Sequence, residues 1–553
     1  MGGNIAGLIL AASISVLMAM AFYVPMAVGA LFVVPIGTMG IGAYVAGWLA
    51  RSGFSVSGAL VSAAIVGGFL ALLTGLIVVR MKAWSAAIAS LAIVEVLQSL
   101  MENYAPIGGS QGMYGVPLFT TLAASIACCL GVLLALTVVE MTRVGDVMEA
   151  IRSDDLAAEC SGLRVARVRL FAFFASGVIS GLAGAISAGY LGFVDPSQFS
   201  FQQLNNYLVA AILGGSTTAT GSLIGGAVMN ALPDLVTFAA NYSLIVFPAA
   251  VIAVLLLRPE GLVTRRALRR TLSVAAQWSK VDRVVRRTGL RFHSVQRTSR
   301  YPRFLRRRPA FRIIRVNGLR KRFGGVEVVR GVSLEVERGS VVGIIGANGA
   351  GKTSLVNLMT GVVRADSGDV AVGWDTGERR LRRLNPQRAV SLGMARTFQA
   401  GRLFAGLTVK GHLELLRGVD SAHLLGLVGL EDRANEVAMA LPYGERRLLE
   451  IARALATAPS FLILDEPTAG MSAVEAERVG SIVRTVAAQG VGVLVIDHNV
   501  EFISVISDRM LAMNFGSVIS AGSPDEVLSH PEVLSAYLGI TGQVTGARLS
   551  EEG

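Results

Sequence analysis

The sequence predicts two folds in one chain: an α-helical polytopic membrane domain, followed by an α/β domain built around a phosphate-binding loop. Three observations predict this. Apolar runs long enough to cross a bilayer recur between Ile5 and Leu257. Charge is unevenly divided: residues 1–139 hold only Arg51, Arg80, Lys82, Glu95 and Glu102, and the whole chain is 16% charged, where a soluble protein carries about 25%. Finally, Gly346–Thr353 reads Gly-Ala-Asn-Gly-Ala-Gly-Lys-Thr, matching G-x-x-x-x-G-K-[ST].

The membrane domain is expected over 1–263. The N-terminus, Met-Gly-Gly-Asn, has no positive region before its apolar run, so a first span is read there and a cleaved signal is not. Spans are read at Ile5–Phe22, Met26–Leu49, Ser57–Val79, Ala83–Met101, Leu118–Val139, Val168–Leu191, Leu204–Leu232 and Leu244–Leu257, within a range of seven to nine. The last is short, and Gly214-Gly215-Ser216 interrupts the seventh. Glycine-rich spans suit close helix contact and also helices broken around a pathway. Glu95 stands inside an apolar run, where a charge marks either a pathway or an interface. Gln98, Asn205 and Asn206 are weaker candidates of the same kind.

One stretch, 140–169, is too polar to cross. Ser153-Asp154-Asp155 forms a helix start and Gly162 a stop. A short cytoplasmic helix here can dock on a motor domain; a solvated connecting loop is the lesser alternative on charge pattern alone. Residues 264–312 form a basic linker with sixteen Lys/Arg against Asp282. It accounts for more than the whole net charge of +12. Directly after the last span, such a stretch points to anionic headgroups on the cytoplasmic face and away from nucleic acid. Within it, Val281–Thr288 reads as a short surface helix, and Tyr301-Pro302 and Arg308-Pro309 break regular structure. Cys128, Cys129 and Cys160 have no metal-ligand or disulfide spacing.

The α/β domain is expected over 313–540, with a loose tail at 541–553. Val341–Ile345 is a β-branched strand, and Thr353–Met359 continues with helical periodicity. This is the strand–loop–helix setting the phosphate loop needs. Gly346, Gly349 and Gly351 let backbone N–H groups face phosphate oxygens, with Ala347, Asn348 and Ala350 between them. Lys352 supplies charge to the β- and γ-phosphates. Thr353 can hold Mg²⁺, and Ser354 continues the helix N-terminus. Phe461–Leu464 is a second buried strand, ending in Asp465-Glu466. The first acid can orient Mg²⁺ and the second can polarise the attacking water. A nucleotide motor joined to a membrane body points to ATP-driven transport.

These residues, with six elements in order, resemble the ATP-binding domain of an ABC transporter, which implies a helical subdomain inside the α/β fold. By that resemblance Phe323 stacks on adenine, and Gln399 touches Mg²⁺ and senses the membrane domain. Leu441-Pro442-Tyr443-Gly444-Glu445 is the signature presented to a partner's ATP. Asp465 is the Mg²⁺ acid and Glu466 the catalytic glutamate. Pro467–Ser472 is the loop that crosses the dimer interface, and His498 contacts γ-phosphate. Pro442 replaces the family's usual serine and Ser472 its usual aspartate, so the signature lent to the partner is expected to be weakened. In the membrane half, Phe171–Ala175, Gly181–Ala185, Gly192–Phe201, Gly214-Gly215 and Arg258–Leu262 resemble branched-chain amino acid permeases. Glu149–Gly162 resembles their coupling segment and Gly108–Gly112 their glycine-rich loop. Tyr443-Gly444, Ser507–Arg509 and Ala536–Gly539 resemble the matching ATPases.

The chain thus looks like a permease fused to its ATPase. The resemblance implies an importer in the bacterial inner membrane, with the ATPase in the cytoplasm and ATP and Mg²⁺ as cofactors. It also implies a second permease, a second ATPase and an extracytoplasmic solute-binding protein as partners, and no nucleic acid. An ABC exporter is the rival reading, disfavoured because only one substantial polar loop interrupts the spans. A nucleic-acid-associated ATPase is a second rival, disfavoured by the spans themselves.

Overall fold

The computed structural model describes residues 2–235 except 82 and 216, positions 252 and 256, and 311–538 except 375, 376, 382 and 417. The expected span Leu244–Leu257, the basic linker with its Val281–Thr288 helix and Pro breaks, Arg258–Leu262 and the tail therefore fall outside the described residues. The chain divides into two compact units. One contains Met1–Asp155 with Arg164–Arg297, and the other Leu156–Leu163 with Thr298–Gly553.

The first unit is helical: α1 (Gly2–Met26), α2 (Pro35–Arg51), α3 (Val56–Val78), α4 (Ala83–Asn103), α5 (Leu122–Met141), α6 (Arg143–Ser153), α7 (Asp155–Cys160, continuing into the second unit), α8 (Val165–Leu191), α9 (Phe201–Gly214) and α10 (Ala219–Leu235). Among the described residues, α1, α3, α4, α5 and α8 are long and apolar enough to cross a membrane. Its centre is α8, packed between α2 and α3 on small residues. A Cβ on Gly184 would lie 2.0 Å from the Met39 carbonyl, and one on Gly67 would lie 2.5 Å from that of Gly177. Lipid offers no hydrophobic drive for helix association, so close backbone contact and interhelical hydrogen bonds replace it. Thr38 Oγ1 and Ser180 Oγ share such a bond at 2.6 Å, and Ser176 donates to the Ala21 carbonyl. A two-residue antiparallel pairing of β1 (Met113–Tyr114) with β2 (Phe193–Val194) joins the glycine-rich loop to the segment after α8.

Two expectations are corrected and a third is extended. The second span does not begin at Met26. α1 runs through Met26, and α2 starts at Pro35, because proline fits the first helical turn and lacks the N–H an interior position needs. The seventh span, Leu204–Leu232, is two helices. α9 stops at Gly214, and Gly215 at φ 120° turns the chain back into α10. The two lie so close that a Cβ on Gly225 would be 2.0 Å from the Ala210 carbonyl. With fourteen residues, α9 is about 21 Å long and too short for a hydrocarbon core of about 30 Å. Glu140, the first residue of the polar stretch, accepts the Ala219 N–H at the start of α10 at 2.6 Å, and the Tyr23 hydroxyl also donates to it. Lastly, the polar stretch holds the expected short helix, α7, which starts after extended Asp154 (φ −160°, ψ 105°), and a further one, α6, before it. Gly162, at φ 82°, ends the turn after α7.

The second unit contains two sheets. β4 (Val326–Glu337), β3 (Ile313–Phe323), β6 (Ser367–Trp374) and β7 (Gly377–Arg380) form an antiparallel sheet in that order. The other runs β12 (Ser517–Gly522), β11 (Arg509–Asn514), β5 (Val341–Gly346), β10 (Gly492–Ile496), β9 (Phe461–Asp465) and β8 (Met394–Arg396). All its neighbours are parallel except β11 and β12. β5, β9 and β10 are buried at every residue, which explains their unbroken apolar runs. Around the sheets lie α11 (Lys352–Met359), α12 (Pro386–Ser391), α13 (Val409–Glu414), α14 (Ser421–Val428), α15 (Tyr443–Ala456), α16 (Ala473–Ala488), α17 (Val500–Ile506), α18 (Pro524–Leu528) and α19 (Pro531–Leu538). α13, α14 and α15 pack on one another. Within this unit Gln387 donates to Glu159 at 3.3 Å, and Gly162 packs on Val390.

Candidate nucleotide site

The parallel sheet places the ends of β5, β9 and β10 side by side, because each strand pairs with the next in register. The loop after β5 is the phosphate-binding motif. Gly349 and Gly351 take φ of 83° and 94°, a region costly for residues with a Cβ. At Gly351 a Cβ would also strike the Val328 carbonyl at 2.5 Å. Lys352 is 5% exposed and folds back over its own loop, donating to the carbonyls of Gly346 (2.6 Å) and Ala347 (3.0 Å). Burial pushes its pKa below the usual lysine range, while Glu466, Asp465 and Asp497 oppose that shift.

At the end of β9, Thr353 Oγ1 donates to Asp465 Oδ1 at 3.3 Å. Asp465 is fully buried. Burial raises its pKa, against the pull of Arg396, whose guanidinium is 3.8 Å from Oδ2. Oδ2 itself has no hydrogen-bond partner. A hydroxyl, a carboxylate and an unsatisfied buried oxygen form a hard-oxygen donor set that fits Mg²⁺. Glu466 follows in the left-handed region at φ 48°, its N–H bonded to the Ile496 carbonyl at 2.7 Å. A non-glycine residue there stores strain, which clusters at functional sites.

Beyond β10, Asp497 is fully buried and was not singled out in the sequence. Its Oδ2 accepts the N–H and hydroxyl of Thr468, at 3.1 and 2.7 Å, and its Oδ1 accepts the Asn499 N–H at 3.0 Å. His498 Nδ1 stands 3.4 Å from Oδ1, with its side chain 58% exposed. One carboxylate thus fixes both the loop after Glu466 and the turn bearing His498. Its only sequence signal is an acid at a strand end.

Gln399 is exposed on the irregular segment after β8. Phe323 is half exposed at the end of β3, with Lys321 Nζ 5.4 Å from its ring centre. The signature lies elsewhere in the unit, at the start of α15. Pro442 is the N-cap residue (φ −54°, ψ 158°) and gives no side-chain cap. Leu441 is buried. Tyr443 packs against Gly470, and Glu445 lies 3.8 Å from Arg433. Gly444 abuts Glu475 so closely that a Cβ would collide with its carboxylate. Ser472, read as a departure from the family, has a structural use. It caps α16 and exchanges hydrogen bonds with Glu475. Also outside the sequence reading is His412, fully buried and stacked on Phe404 at 5.3 Å. Its Nε2 accepts the Phe404 N–H at 2.9 Å, and burial pushes its pKa down to about 3.

A phosphate loop at a strand end, with a buried acid beside its threonine, defines a nucleotide-binding domain of the phosphate-loop class. Models of three families match: "ABC transporter" over 329–469, "Branched-chain amino acid transport system / permease component" over 4–256, and "Branched-chain amino acid ATP-binding cassette transporter" over 517–540. The branched-chain amino acid transport ATP-binding protein LivG of Salmonella typhimurium is 35% identical over 253 residues, 41% of this chain and 98% of that one. BraF of Pseudomonas aeruginosa matches with the same identity and coverage. A solved ATP-binding cassette in its ADP conformation is 29% identical over 41% of this chain and 99% of its own, with a TM-score of 0.38. The chain belongs to the branched-chain amino acid ABC transporter family and carries permease and ATPase in one polypeptide. It is a membrane protein that binds and hydrolyses ATP to drive transport.

Proposed function

We propose that this chain is the fused permease–ATPase subunit of an importer for branched-chain amino acids or related small polar solutes. It resides in a bacterial inner membrane, with the ATPase on the cytoplasmic side. A second permease and a second ATPase complete it, and an extracytoplasmic binding protein delivers solute. The basic stretch 264–312 meets anionic headgroups. The observation that carries the coupling is the membership of Leu156–Leu163. These residues lie between two membrane helices in sequence yet pack with the nucleotide-binding unit.

In this reading Phe323 stacks on adenine. The backbone of Gly346–Gly351 and the N-terminus of α11, including Ser354, cradle the phosphates. Lys352 leaves the Gly346 and Ala347 carbonyls for phosphate oxygens, which favour its charged form. Thr353, Asp465 and Gln399 would hold Mg²⁺, which when bound neutralises phosphate charge. Glu466 polarises the attacking water, and His498 contacts the γ-phosphate. Leu441–Glu445 closes on the partner's nucleotide, and Pro442 lends it neither hydroxyl nor N–H, which makes the two ATP sites unequal. The test uses the assembled transporter in lipid with its binding protein. Cognate solute should raise ATP turnover and accumulate in vesicles. Glu466→Gln should abolish hydrolysis and keep nucleotide binding. Turnover indifferent to every candidate solute, with empty vesicles, would overturn the reading.

A further inference from the structure

A cavity of about 290 Å³ lies within the first unit, where the loop from α1 to α2, the end of α3, the start of α4, the turn between α6 and α7 and the start of α8 meet. The nucleotide chemistry does not use it. Ligand clefts begin at about 300 Å³, so the space suits one small solute. Its walls are of two kinds. Leu31, Val78, Val79 and Phe173 give an apolar wall. Val78 and Phe173 are 2% and 1% exposed, and Phe173 stacks on Phe32 at 4.1 Å, which closes that wall from behind. The other wall is the α6–α7 turn, which brings Arg152, Asp154 and Asp155 to the cavity, joined by Arg169 from α8. Hydrogen bonds hold this wall. Arg169 Nη2 donates to both oxygens of Asp155 at 2.7 Å, and Nε donates to the Val28 carbonyl at 3.3 Å. Gly29 lies against the backbone of Arg152, where a Cβ would be 3.1 Å from Cα. Arg152 Nε lies 3.5 Å from Glu149, and a guanidinium has five donors, more than one carboxylate takes.

A simple anion would be repelled by Asp154 and Asp155, and a simple cation by the two arginines. Both signs beside a hydrocarbon wall match a molecule that carries an anion, an ammonium and a short aliphatic chain. We propose that this cavity binds a free aliphatic α-amino acid from the cytoplasmic side. Its carboxylate meets Arg152, its ammonium meets Asp154, and its side chain lies on Val78 and Phe173. An ethanolamine lipid carries the same charges, but its acyl chains need a way past the apolar wall, which the Phe32–Phe173 stack closes. The turn at Ser153–Asp154 leads directly into Leu156–Leu163, the residues that pack with the nucleotide-binding unit. A ligand held between this turn and the ends of α3 and α8 ties the coupling segment to the membrane helices, so imported solute slows turnover as it accumulates. This regulatory role rests on the import reading above; the binding site does not.

Two measurements test it. In the first, equilibrium binding of radiolabelled L-leucine is read on the full chain in lipid nanodiscs, without binding protein or nucleotide. Saturable binding is expected. Asp154→Asn and Arg152→Gln should each weaken it about tenfold, the equivalent of one charge-assisted hydrogen bond. Ala86→Phe, which fills the cavity and leaves every charge in place, should abolish it. Isocaproate, which lacks the ammonium, and isoamylamine, which lacks the carboxylate, should fail to displace leucine. No saturable binding, or wild-type affinity in all three variants, overturns the proposal. An ethanolamine lipid retained in native mass spectrometry and expelled by Ala86→Phe, with no leucine bound, gives the cavity to lipid and also overturns it. In the second, the assembled transporter sits in vesicles with loaded binding protein inside and the nucleotide-binding unit outside. Leucine added outside should halve ATP turnover near the measured Kd in the wild type and not in Ala86→Phe. Turnover unmoved by outside leucine overturns the regulatory role. If no solute inside stimulates turnover, the import reading fails, while leucine binding to the cavity is still decided by the first measurement.

Discussion

Glu466 is a residue whose function and stability pull in opposite directions, and the structure sets the size of the conflict. Its φ of 48° places an L-residue in the left-handed region, which costs roughly 1–2 kcal/mol. Replacing Glu466 by Gly removes that cost but adds about 0.5–1 kcal/mol of chain entropy to the unfolded state. The net gain is about 0.75 kcal/mol at the midpoints of the two ranges. For a domain of roughly 150–250 residues, each kcal/mol moves Tm by about 2–4 °C, so Glu466→Gly gains about 1.5–3 °C. The right reference is Glu466→Ala, which loses the same carboxylate and its attraction to Lys352 but keeps the Cβ. Thermal unfolding of the nucleotide-binding unit, followed without nucleotide in the full chain, reads the difference. ATP hydrolysis should be absent in both variants. A Glu466→Gly protein no more stable than Glu466→Ala would refute the strain, and with it the view that the backbone aims this carboxylate at some cost.

Burial holds His412 near a pKa of about 3, below its ordinary 6.5, so the unfolded chain takes the proton first. Its stability is present above pH 6.5 and is lost as pH falls toward 3, by about 1.4 kcal/mol per pH unit; urea midpoints at pH 7.5 and 5.5 should converge in His412→Asn, and equal pH slopes in both proteins would contradict this. In the phosphate loop, Gly351→Ala meets the Val328 carbonyl at 2.5 Å whereas Gly349→Ala meets open space. The first should lose ATP binding and stability while the second loses only about 1 kcal/mol of stability to backbone strain, and equal binding by both would remove the close-approach argument. In the membrane unit, Gly184→Val drives α2 from α8, with its Cβ 2.0 Å from the Met39 carbonyl, whereas Gly131 faces open space. Gly184→Val should abolish the monodisperse peak in detergent chromatography and Gly131→Val should keep it; matching profiles would show that the helices have slack.

Much was decided locally, and so could be read from the chain alone. Apolar runs longer than the bilayer, the order of the motifs and the strand–loop–helix around Lys352 depend on neighbours a few residues away. They fixed the two folds, the family and the nucleotide. The rest depended on contacts between distant residues, which periodicity does not encode. Arg447 reaches a carbonyl forty-nine positions away, and Glu140 caps a helix seventy-nine positions on. Asp497 meets Thr468 across twenty-nine. The left-handed turn at Glu466 exists because Ile496, on another strand, takes its N–H. The fold of the chain also gave Leu156–Leu163 to the nucleotide-binding unit, though its sequence neighbours lie in the helical one. Buried polar groups must find partners wherever packing brings them. Sequence therefore determined which chemistry this protein carries, and only tertiary structure decided which side chains hold it in place.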